Sequence, residues 1–147
     1  MKITSSELDK RIAEIMCQSP GKTYGEALAE ATGGVNLVEG KQTWEYTTGS
    51  KHDLNTMKKC CETELETWEK TGLFPAPYYF ERVAILSRKE KNYAQEIEYC
   101  EKYINAVKEH NRKNGVKHNE KTMGPRELSI HRRLPKAKEL LLKSQKG

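Results

Sequence analysis

Apolar side chains recur along most of this chain at intervals of three and four, the spacing that gathers them on one side of an α-helix. Leu8, Ile12, Ile15 and Met16 form the first such face, in a helix that Ser5 or Ser6 can cap and that runs to about Cys17. Ser19-Pro20-Gly21 interrupts it, and a short second helix, about Tyr24 to Ala31, stops at Gly33-Gly34. From Asp53, a good N-cap, Leu54, Met57, Cys61, Leu65 and Trp68 step by 3, 4, 4 and 3, and Gly72 closes the helix ahead of Pro75 and Pro77. A further helix begins near Tyr78 and carries Phe80, Val83, Ala84 and Leu86 to about Glu90. After Lys91-Asn92, Tyr93, Ile97, Cys100, Ile104 and Val107 step by 4, 3, 4 and 3, the cleanest helical period in the sequence. A last stretch from Pro125 carries Leu134, Ala137 and Leu141, with Pro135 expected to kink or divide it.

Helical spacing fails between Val35 and Thr48. Val35 and Leu37 precede a turn at Gly40, and Trp44 and Tyr46 then alternate with polar residues, which suits a small β-hairpin or an ordered loop. Residues 111–124, rich in Asn, Lys, Gly and His, read as a loop. The fold class expected is therefore mainly α, a helical bundle with a small non-helical insert, in one domain over 1–147. Its parts are N-terminal helices at 1–34, the hairpin or loop at 35–50, the bundle at 53–110, the loop at 111–124 and a basic C-terminal helix at 125–147.

Charge sharpens this division. Of the residues, 32% are charged and 35% hydrophobic, which favours thin helical layers over a thick sheet-based core. The net charge of +5 is unevenly placed: residues 1–104 hold 14 basic and 17 acidic side chains, whereas 105–147 hold 12 and 4. An electrostatic partner belongs to the C-terminal third. The four cysteines, Cys17, Cys60, Cys61 and Cys100, show neither CxxC nor zinc-finger spacing, and with no long apolar run or signal peptide they are expected as free thiols in the cytoplasm, with no membrane involved.

The segment Pro77 to Ile104 resembles a tetratricopeptide repeat without gaps. Phe80 falls at the first aromatic of that repeat, Val83 at its Leu, Ala84 at the small residue where its helices approach, and Tyr93, Ile97 and Ile104 at positions of the second helix. Glu96 and Tyr103 depart from it, standing where the repeat prefers Ala on the face that meets the next repeat. The sequence contains no second copy at a period of about 34 residues, so a lone hairpin needs covering by other elements, and helices 53–71 and 125–144 are the natural ones. With the downstream Arg133-Leu134-Pro135-Lys136-Ala137 segment, the hairpin also looks like uncharacterised small proteins of bacteria and their phages, which implies no activity.

In the repeat family the first helix lines a groove. The resemblance thus implies Tyr78, Glu81, Ile85, Arg88 and Lys89 as a partner-binding face. Glu81 and Ile85 occupy positions where the family's carboxylate clamp has Lys and Asn, so that mode of recognition is not implied. The function expected is non-catalytic: an adaptor or small inhibitor that binds a protein partner, as a monomer or homodimer, without cofactor or metal.

Other chemistry ranks lower. Gly21-Lys22-Thr23 resembles the end of a phosphate loop but follows a helix, so a turn with Thr23 as cap is expected. His52-Asp53 is an adjacency in which Asp53 caps a helix, and His110, His118 and His131 are expected as dispersed, solvated side chains. Trp44 and Tyr46 suit either a partner anchor or a hairpin pinned to the core, and Trp44 is assigned to the core. The alternative function is nucleic-acid binding through 108–138, with Lys108, Arg112, Lys113, Arg132, Arg133, Lys136 and Lys138 on phosphates.

Overall fold

A computed structural model describes residues 4–117 and 119–146. The elements among them are α1 (Ser5–Gln18), α2 (Tyr24–Thr32), β1 (Leu37–Val38), β2 (Lys41–Gln42), a 3-10 helix at Thr43–Tyr46, α3 (Leu54–Thr71), α4 (Tyr78–Lys89), α5 (Tyr93–Asn114) and α6 (Pro125–Lys146). The fold is a mainly α bundle carrying one small antiparallel hairpin, in which Leu37 pairs with Gln42 and Val38 with Lys41.

Local chemistry sets most boundaries. Thr4, rather than Ser5 or Ser6, caps α1: its Oγ1 accepts from Glu7 N at 3.2 Å and Glu7 returns the bond to Thr4 N. Thr23 and Glu26 repeat this capping box on α2, while Asp53 caps α3 and Asn92 caps α5. Gly33, Gly72 and Gly115 end α2, α3 and α5 in the left-handed region that a Cβ disfavours. Helix α5 therefore runs past Val107 to Asn114, shortening the expected loop at 111–124. Pro135 lies inside α6 without ending it.

The hairpin is formed, but upstream of the Trp44/Tyr46 alternation. Those two residues belong to the 3-10 turn instead. Tyr46 returns its hydroxyl to Val38 O at 2.6 Å and packs against the main core. Trp44 is not a core residue: it stands 62% exposed, its indole N–H donating to Gln42 Oε1 at 3.1 Å.

Two apolar clusters organise the chain. The smaller joins α1 to α2 through Leu8, Ile12, Ala27, Leu28 and Ala31, with Leu73 packed against it. The larger draws Met57, Phe80, Val83, Ala84, Tyr103, Val107 and Ile130 from α3 to α6. Buried thiols share it: desolvation raises Cys60 to about 11 and Cys100 to about 12, whereas Cys17 is exposed.

Helix α5 buries more than its apolar stripe. Ile97 is only half-buried, whereas Glu96 and Tyr103 are fully buried. The reason is α6, which packs on both α4 and α5. Tyr103 sets its ring 5.0 Å from that of Phe80 and donates its hydroxyl to Pro75 O at 3.0 Å. Glu96 sits between two guanidinium groups: Arg88 of α4 reaches its Oε1 through Nε at 2.9 Å and its Oε2 through Nη2 at 2.9 Å, and Arg133 of α6 reaches Oε2 at 2.7 Å. Arg88 Nη2 also donates to Arg133 O at 3.4 Å. A buried carboxylate is tolerable only when its charge and lone pairs are met this fully. Replacing Glu96 with Ala leaves two cations facing each other at a helix junction. The expected loss is about 3 kcal/mol, the lower end for a broken buried pair because both guanidinium groups keep some water. Urea unfolding measures it, and a loss of about 0.5 kcal/mol or less would reduce the triad to a surface ion pair.

Candidate functional site

The face implied by the repeat resemblance is largely occupied by α6. Tyr78 lies under the Arg126 guanidinium, 4.7 Å from its ring centre, and its hydroxyl donates to Thr47 O at 3.0 Å. Glu81 pairs with the same Arg126 at 2.9 Å and Arg88 is held in the Glu96 triad, leaving Ile85 half-buried and Lys89 exposed. The five residues do not form one open groove, because a basic covering helix meets the acidic and aromatic side chains there.

The basic set is likewise drawn partly inward. Arg133 is in the triad, Arg112 and Lys113 pair with Glu109, and Lys136 pairs with Glu139. Lys113 also lies 5.6 Å over the Trp68 ring. Lys108, Arg132 and Lys138 are exposed. His110 corrects the expectation of a solvated side chain: Nδ1 accepts from Trp68 Nε1 at 3.2 Å and its ring meets Phe74 edge-on at 5.1 Å. His131 is half-buried, and His118 lies outside the described residues. Lys22 pairs with Glu30 beside the Thr23 cap, so Gly21-Lys22-Thr23 is a helix-entry turn.

The open chemistry lies elsewhere, at the seam between the two apolar clusters. A cleft of about 310 Å³ separates α2 from α3, with Leu28 and Leu73 on one side and the rings of Trp44 and Phe74 at its rim. Phe74 is 45% exposed, so both aromatic side chains keep a large apolar surface in water. Gln42 is pressed so close to α2 that a Cβ on Gly25 would fall 1.8 Å from Gln42 Oε1. Gly25 thereby leaves room for the Gln42 side-chain amide, whose Oε1 accepts from the Trp44 indole.

Polar groups line the interior. Asn36 donates through Nδ2 to Gly25 O at 3.1 Å, and its Oδ1 is buried with no hydrogen-bond partner among the described residues. Glu64 accepts from Thr43 Oγ1 at 3.0 Å and from Ala76 N at 3.3 Å. No cation joins the lining, and Glu64 has no ion pair among the described residues. Burial raises its carboxyl above the usual glutamate range, opposed by its hydrogen bonds from Ala76 N–H and the Thr43 hydroxyl. Of this site the sequence points only to Trp44, which suits a partner anchor but is assigned there to the core. Glu64 and Asn36 carry no signal in spacing, because an acidic residue on a helix and an Asn beside a turn are ordinary.

No group of three or more His, Cys, Asp or Glu side chains among the described residues is arranged to hold a metal, and no described helix is long and apolar enough to cross a membrane. The chain matches no known family model, no curated protein and no solved structure.

The raised Glu64 carboxyl has a consequence for stability. The native state holds this proton more tightly than the unfolded chain does, so the glutamate contributes most favourably below its ordinary pKa. That contribution declines as pH rises through the ordinary value to the raised native one, and is flat above. Glu64→Gln removes the titration while keeping one oxygen acceptor. Urea unfolding across the acid range should show wild type losing stability relative to Glu64→Gln as pH rises; a pH-independent difference would contradict the burial of an unpaired carboxyl.

Proposed function

We propose that this protein is a non-catalytic protein-interaction module, an adaptor or small inhibitor, whose partner seats on the aromatic rim of the α2–α3 cleft. The observation that carries the reading is the pair of exposed rings, Trp44 and Phe74, at the mouth of a recess with unpartnered polar capacity inside. Interfaces gain most of their affinity from a few large side chains that lose water on contact, and tryptophan is prominent among them. The tetratricopeptide-like pair α4–α5 is, in this reading, the scaffold. It supports α3, from which Glu64 projects, rather than offering a groove of its own.

Nucleic-acid binding through 108–138 is the weaker reading. Lys108, Arg132 and Lys138 remain exposed, but Glu109 and Glu139 lie among the basic residues and lower the charge that phosphates would meet.

Trp44→Ala tests the preferred reading. Its ring is mostly in water, so melting should move by no more than about 0.5 kcal/mol in equivalent stability. Capture of the protein partner that wild type retains after nuclease treatment should fall by at least roughly tenfold, as for loss of an interface anchor. Full retention of the partner by a folded Trp44→Ala variant would move the binding surface away from the cleft.

A further inference from the structure

The cleft carries more information than its rim. Its one charged lining residue is Glu64, held by Thr43 and Ala76 with no cation opposite. Asn36 Oδ1 is a further acceptor with no partner among the described residues, but it is closed to water and so is not offered to a ligand. Two of the three threonine hydroxyls in the lining are already directed elsewhere, Thr43 to Glu64 and Thr67 to Val35 O and Thr63 O, which leaves the Thr63 hydroxyl as a neutral polar group beside the carboxylate. A ligand suited to this interior brings positive charge and N–H donors for the carboxylate, and it meets two exposed aromatic rings. An ammonium meets the charge requirement; a guanidinium also matches a carboxylate with its planar fork and can lay its face on an indole.

On the reading of the protein as a partner-binding module, we infer that the cleft receives an arginine side chain from an extended segment of the partner, with the Glu64 carboxylate as its acceptor and the exposed rings of Trp44 and Phe74 as its apolar contacts. Charge complementarity extends beyond the pocket. Residues 25–74, which supply every lining side chain, carry 9 acidic against 5 basic side chains, a local balance that suits a basic segment. A volume of about 310 Å³ leaves room for one long side chain and its flanking backbone rather than a folded surface.

The probe is acetyl-Gly-Arg-Gly-amide, titrated into the full-length protein while the Trp44 indole N–H is followed by NMR, with its resonance assigned by Trp44→Phe. The citrulline and lysine versions of the peptide serve as comparisons. Arginine should shift the Trp44 signal to saturation, and citrulline, which keeps the shape without the charge, should bind at least roughly tenfold more weakly. Glu64→Gln should weaken the arginine peptide by a similar factor. Phe74→Ala, which removes a wall without touching the carboxylate, should also weaken it and covers the case in which Glu64→Gln does not fold.

Absence of any shift with the arginine peptide, or equal binding of arginine and citrulline, would overturn the inference. So would arginine binding that is undiminished in folded Glu64→Gln and Phe74→Ala. Equal affinity for the lysine peptide would overturn the guanidinium assignment. The two levels of the proposal fail separately: partner capture lost in Trp44→Ala but kept in Glu64→Gln preserves the interaction module and removes the arginine pocket, whereas capture kept in both removes the cleft as the interface.

Discussion

Glu96 is the constraint on which the bundle turns. A carboxylate with no exposed surface sits where α4, α5 and α6 meet, and it is made tolerable by Arg88 from one side and Arg133 from the other. The pairing fixes more than charge. It sets the axial register of α6 along α5, because Arg133 can reach only one turn of that helix. With register set, Arg126 falls over Tyr78 and Glu81, and Ile130 falls into the apolar core. A helix too polar to dock on apolar contact alone is thereby placed over the faces of α4 and α5 that would otherwise meet water.

This placement decides where a partner can bind. A helical hairpin with an open first helix would offer a groove, but here the fold's own C-terminal helix takes that position. The accessible, chemically unbalanced surface lies instead at the cleft between α2 and α3. That cleft is built from small devices: the Gly25–Gln42 contact, the two-residue strands, and the 3-10 turn that holds Trp44 outward. Its polar interior is supported by a rigid helix, since Glu64 lies in the middle of α3.

The helices were legible because they use local signals that the rest of the fold does not contradict: apolar stripes, a capping side chain on α1, α2, α3 and α5, and a glycine at the end of α2, α3 and α5. Pro135 does not divide α6, since tertiary packing of Ile130, Leu134 and Ala137 carries the helix through it. Trp44 was misplaced because a large aromatic beside a hairpin is usually buried, and alternation over two residues cannot separate a strand from a 3-10 turn. Glu96 and Tyr103 stood out as misfits to a repeat interface, yet their meaning needed Arg133, which lies 37 residues beyond Glu96. The cleft was least legible of all: its acceptors and rings come from four separated segments, and no sequence period records their meeting.

Native-state hydrogen exchange on the full-length protein tests most directly whether α6 is an integral part of this bundle. Amides around Ile130 and Ala137 should open with the same free energy as those around Tyr103 in α5, the global unfolding value, since the triad and the shared core tie both helices into one cooperative unit. Faster exchange confined to the segment beyond Leu141 fits that picture. Exchange of the whole of α6 far ahead of α5 would contradict it, detaching the helix from the α4 face and returning Tyr78, Glu81 and Arg88 to the surface a partner could use.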